Sequence, residues 1–179
     1  MSESSAQLSS GSNDNSKAPN TVKQKADFAS IEGGFSIALP SVVNSYSTIA
    51  PIEGISKGGT MYTWKVPQGM IAISFIDFIS ETTDTEQVIK TGADSLIENI
   101  TNKGGVLIGK KEITFSGSRG QEIRLRSKDG YKIIGRHYFV KNRFYNLSAV
   151  WESNADEALL LIIFNSFKLL NEKSLDVNR

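Results

Sequence analysis

At 179 residues the chain has room for one domain with a packed core and not for two comfortable ones. Its 39% hydrophobic content and net charge of +1 argue against both a membrane-buried protein and an obvious polyanion binder. With no cysteine, disulfides, thiolate nucleophiles and cysteine-based zinc sites are all removed.

Residues 1–25 are rich in Ser, Asn, Lys and Gln, with few apolar side chains (Ala6, Leu8, Ala18, Val22), so a disordered tail is expected. Met1–Ser5 shows neither the basic nor the apolar region of a signal peptide. As the sequence stands it reads as cytoplasmic. If an upstream leader was removed, the polar stretch resembles the spacer of a periplasmic lipoprotein or a thylakoid-lumen protein. Residues 27–31 and 35–39 read as short strands about the Glu32–Gly34 turn, and Pro40 ends the second. Residues 41–58, with Pro51, Gly54 and the pair Gly58-Gly59, read as an irregular loop and a variable contact surface. Thr60–Val66 alternates weakly up to the Pro67–Gly69 turn, and Met70–Phe78 is apolar enough for a strand covered on both faces.

The period then changes. Ile89, Ala93, Leu96, Ile97 and Ile100 form one stripe of an amphipathic helix over residues 83–103, capped by Thr83 or Asp84 and stopped at Gly104-Gly105. Strands follow at 106–115 and 120–126, joined by Ser116–Arg119. A hairpin then runs from Tyr131 to Trp151, with its bend at Val140–Arg143, where Asn142 tolerates φ > 0. Ser153 with Asp156, or Asn154 with Glu157, caps a last helix from Ala155 to about Asn165, and Ser166–Leu170 closes the domain as a short strand. The end, 171–179, is polar and expected to fray. The longest apolar run, Ala158–Phe164, falls far short of the ~18 residues of a spanning helix. Tight turns between neighbouring strands make the sheet antiparallel. The expected fold is therefore α+β: one domain over 26–170, a mostly antiparallel sheet of about six to eight strands covered by two main helices.

Four stretches occur in order along the chain: Phe35–Pro40 after a Gly-Gly turn, Gly120–Glu122 opening a strand, Asn142–Leu147, and Asn165–Leu169 near the end. Together they resemble the PsbP-like and Mog-like α/β/α sandwich superfamily, over roughly residues 28–170. The resemblance implies an accessory or assembly role through protein contacts, often in cyanobacteria, plastids or bacterial envelopes. The long loop at 41–58 departs from that pattern, and no metal or photosystem-binding residue carries over.

His137, the one histidine, sits in a strand and points away from Arg136 and Tyr138. A lone histidine acts as a base only where a nucleophile or carboxylate orients it, and no Gly-x-Ser-x-Gly elbow is present. Gly117–Gly120 lacks the Lys-Ser/Thr end of a phosphate loop. Neither a catalytic set nor a cofactor or metal site is therefore expected.

Charge is more informative. Between Gly104 and Trp151 ten basic residues face three acidic ones, and five of the six arginines fall in Arg119–Arg143. Alternation puts Arg124 and Arg126 on one strand face and Arg136 with Tyr138 on one face of the next. Together with Arg143 they define a candidate basic patch for the acidic surface of another protein. The competing reading is a solvated face, or one paired with the acidic helix Glu81–Glu98. Nucleic acid is disfavoured by the near-neutral whole. The expected function is a non-enzymatic docking domain, with a small-ligand carrier holding an apolar cavity between sheet and helices as the alternative.

Overall fold

Residues 27–39, 43–79 and 84–170 are described by the structure, a computed structural model. In chain order they form β1 (Phe28–Ser30), β2 (Phe35–Ile37), β3 (Ser45–Ile49), β4 (Ser56–Val66), β5 (Gly69–Phe78) and α1 (Thr85–Thr101). Then come β6 (Val106–Phe115), β7 (Ser118–Arg126), β8 (Lys132–Val140), β9 (Arg143–Trp151), α2 (Glu157–Asn165) and β10 (Lys168–Leu169). The tails expected at 1–25 and 171–179 lie outside the described residues, as does Thr83, one of the two suggested caps.

Seven strands make one antiparallel sheet in the order β3-β4-β5-β9-β8-β7-β6, and β1, β2 and β10 make a second of three strands. The fold is α+β, as its tight turns and two apolar-sided helices require. Side-chain alternation sorts the large sheet into two faces. On one, Trp64, Ile71, Ile73, Phe75, Ile134, Leu147 and Trp151 pack against Phe35 and Ile37 of the small sheet and Leu160 and Phe164 of α2. On the other, α1 lays its stripe of Ile89, Ala93, Leu96, Ile97 and Ile100 over β7, β8 and β9. Strand β5 is thus covered twice, by Ile71, Ile73 and Phe75 towards the small sheet and by Ile76 and Phe78 towards α1.

Four details of the strands and their turns differ from the expectation. Residues 45–49 form edge strand β3 rather than loop: the segment is almost wholly exposed, so it carries no apolar alternation to reveal it. Its neighbour β4 begins at Ser56 and contains the Gly58-Gly59 pair, which marks a bulge instead of a break. Gly58 has φ +81° at the register shift, and a Cβ on Gly59 would stand 1.8 Å from the Phe75 carbonyl oxygen. Ser116 and Gly117, both at positive φ, form a two-residue turn, so β7 starts at Ser118 instead of Gly120. In the central hairpin the left-handed residue is Lys141 (φ +55°) and not Asn142, whose carbonyl instead accepts the Phe78 N–H at 2.7 Å.

The helix caps are local as well. The Asp84 carboxylate accepts from the Gln87 N–H at 3.1 Å. At α2 it is Asp156, not Ser153 or Asn154, that accepts from the Ala158 N–H at 2.8 Å, so the helix starts at Glu157.

Candidate functional site

Register brings the arginines together as alternation suggested: Glu122 stands opposite Arg136, Gly120 opposite Tyr138, and Val140 opposite Arg143, on the face that carries α2 and the small sheet. They are gathered around internal carboxylates. Glu122, with its side chain wholly buried, accepts from Arg124 Nε at 2.9 Å and Arg136 Nε at 2.8 Å, and Lys111 lies 3.1 Å away. Arg124 also pairs with Glu157 of α2, and Arg136 donates to Asn165 Oδ1 at 2.7 Å while lying over the Phe164 ring. Burial alone would raise the Glu122 pKa, but bonds from Arg124, Arg136 and Lys111 hold it below the usual carboxylate value.

Arg143 is held the same way. It donates to Asp77 Oδ2 at 2.7 Å and to the Glu32 carbonyl at 2.8 Å, across the Phe75 ring. Tyr138 is a core side chain stacked on Phe167. Arg126 alone of the five is exposed and without an ion pair among the described residues. The charge of this face therefore serves chiefly to fasten α2 and the β1–β2 turn. The acidic helix α1, named as its possible counterpart, lies on the opposite face, where Asp94 pairs with Lys90 and Lys110.

His137 faces α1. It is 2% exposed, its ring stacks on Phe144, and burial, the largest cause, lowers its pKa to about 4. The Asn146 amide opposes that shift and the Lys110 charge adds to it. Gln121, His137, Asn146 and Ser74 stand in consecutive register on β7, β8, β9 and β5. This polar row divides the floor under α1 into two apolar islands, one around Ile123, Leu125 and Ile133 and one around Ile89, Phe139 and Phe144. No serine, threonine or carboxylate among the described residues hydrogen-bonds the imidazole.

Another feature lies at one end of the sandwich. The β3–β4 loop and the end of β5 meet there and expose Ile52, Ile55 and Ile79, each by half or more. The Ile79 N–H donates to the Ile55 carbonyl and the Ile55 N–H to that of Ile52, which ties the three into one patch. Beside the patch, between β5, β9 and the first turns of α1, runs an open groove of about 510 Å³ lined by Ile55, Ile76, Phe78, Val88, Gly92 and Phe144. A Cβ on Gly92 would stand 2.7 Å from the Phe144 ring, so the bare glycine lets the helix sit close to that floor. Sequence reasoning put a contact surface in the 41–58 loop but picked out neither these isoleucines nor the groove. Their signals were isoleucines inside a turn-rich stretch and a glycine inside a helix.

An antiparallel sheet with one helix on one face, and a helix plus a small sheet on the other, defines a PsbP-like α+β fold. The solution structure of cyanobacterial PsbP from Synechocystis sp. PCC 6803 shares it, with a TM-score of 0.57 and 8% identity, over 85% of this chain and 96% of that one. A Bacteroides thetaiotaomicron protein is similar at TM-score 0.41 and 14% identity, over 84% of this chain and 50% of its own. A Pseudomonas aeruginosa protein of unknown function aligns at TM-score 0.39 and 10% identity, over 86% of this chain and 95% of its own. No family model and no curated protein matches the sequence.

Proposed function

We propose that the chain is a non-catalytic docking module that holds another protein through the apolar end of the sandwich. The observation that carries this reading is the gathering of Ile52, Ile55 and Ile79 beside an apolar groove. Large side chains left in water at one place mark a contact surface more often than scattered ones do. The rigid sheet supports the loops that present them. An accessory role of the kind the PsbP-like and Mog-like resemblance implies is part of the same proposal.

The arginine face supports docking less well, because Arg124, Arg136 and Arg143 are engaged internally and only Arg126 stands free to meet an acidic surface. A partner captured from the native source and reconstituted from purified components separates the two surfaces. Ile55→Asp with Ile79→Asp should weaken its binding at least about tenfold, and Arg126→Glu should leave it unchanged. The reverse pattern would return the contact to the arginine face.

The groove also favours a second reading, a carrier of a small apolar ligand, since its volume and lining fall in the range of ligand sites. Native mass spectrometry of freshly purified protein distinguishes it. A retained small molecule supports the carrier, and a bare mass supports docking.

A further inference from the structure

We infer that β3 is a pairing edge for a second copy of this chain, joined β3 to β3 in antiparallel register about Ser47. Strands β3 and β6 are the outer strands of the seven-stranded sheet, and each pairs on one side only. An outer strand offers a row of backbone N–H and C=O groups that fits one kind of guest, another extended chain. Strand β6 is protected against this by a bulge between Leu107 and Gly109 and by Lys110, Lys111 and Glu112 at its middle. Strand β3 has none of these protections. Ser45–Ile49 contains no charge, proline or glycine, its register with β4 is unbroken, and four of its five residues are exposed, Tyr46 by 77%.

The strand's own sequence fits that edge. Directly opposed residues of an antiparallel pair share a face, so a symmetric pair sets one residue opposite itself. Ser47 is the centre that pairs the whole strand. Tyr46 of each copy then meets Thr48 of the other, an aromatic and β-branched pair formed twice, and Ser45 meets Ile49. The small, uncharged Ser47 meets itself without repulsion. Pairing of β3 with β6 of another copy would run on into open chains and is opposed by the charges and bulge of β6, whereas β3 with β3 closes on two subunits. Pro51 has no N–H and ends the pairing, so the contact is small and the dimer forms only at high concentration.

The test uses the full chain, which has no cysteine of its own. In sedimentation it should pass from monomer at about 10 μM towards dimer at about 1 mM. Ser47→Lys sets two ammonium groups opposite each other and should weaken the dimer at least about tenfold, as should Ser47→Glu. An equimolar mixture of the two variants should dimerise again. In a glutathione buffer Ser47→Cys should give a disulfide-linked dimer, because directly opposed Cα atoms lie within disulfide reach. Ser45→Cys should not, because its counterpart then lies opposite Ile49. Circular dichroism checks that each variant folds.

A monomer at every concentration overturns the inference, and so does a dimer that Ser47→Lys leaves intact. Mixed lysine and glutamate variants that stay monomeric overturn the register about Ser47, and the inference with it. Equal crosslinking of Ser47→Cys and Ser45→Cys shows collision alone and overturns it too. A dimer dissociated by Ile55→Asp and not by Ser47→Lys puts the second copy on the apolar end instead. A different protein bound by wild type and lost in Ser47→Lys, with the chain itself monomeric, gives β3 another occupant and also overturns the inference.

Discussion

Two buried ionisable side chains, Glu122 and His137, lie on opposite faces of the sheet. Glu122 is enclosed by Arg124, Arg136 and Lys111, so removing its charge leaves two guanidinium groups half-buried and underpaired. Glu122→Gln should lose about 3–5 kcal/mol in urea denaturation, whereas Lys90→Ala, which breaks an exposed helix pair, should lose less than about 1 kcal/mol. Equal losses would show that Glu122 is not the hub its geometry implies. His137 acts in the other direction, because its folded pKa of about 4 lies below the usual 6.5 and the unfolded chain therefore takes up the proton first. Its contribution is complete above pH 6.5 and is lost as pH falls towards 4. Between pH 7 and pH 5, above the carboxylate range, that loss should reach about 2 kcal/mol and should disappear in His137→Phe. A pH-independent wild type over this window would contradict the burial of a neutral imidazole. The sequence showed where these charges lie along the strands, but not that Glu157 and Asp77, distant in sequence, answer them.

Elements were legible in proportion to the apolar period they carry. The stripe Ile89–Ile100 buries one face of its helix, and the hairpin arms Lys132–Val140 and Arg143–Trp151 bury both faces as dense β-branched and aromatic runs, so the residues alone reveal them. Strand β3 buries neither face and was unreadable. The Gly58-Gly59 pair was misread because a glycine that ends a strand and one that lets two backbones approach look alike in sequence. The structure separates these meanings. Gly59→Ala would press a methyl group into the β5 backbone, and its cost should rank among the larger single-site losses, about 4 kcal/mol by thermal or chemical unfolding. Gly117→Ala offers the comparison, since no atom lies within 4 Å of a Cβ there and only its positive φ resists the change. If Gly59→Ala proves as mild as Gly117→Ala, the bulged β4–β5 register is wrong.

At the scale of the whole molecule, the two faces of the sheet are occupied differently. One is sealed by a continuous core with α2 bolted over it through Glu122, Glu157 and Asn165. The other carries α1 on two apolar islands parted by a polar row, and at the outer island the packing opens into the groove. The proposed docking surface lies at the end where the β3–β4 loop meets the end of β5, and not on the arginine face. The most direct measurement is methyl NMR of isoleucine-labelled protein titrated with a reconstituted partner. Methyl signals of Ile52, Ile55 and Ile79 should shift or broaden, while those of the buried Ile71, Ile123 and Ile134 hold still. Binding that leaves those three signals unmoved would contradict the account.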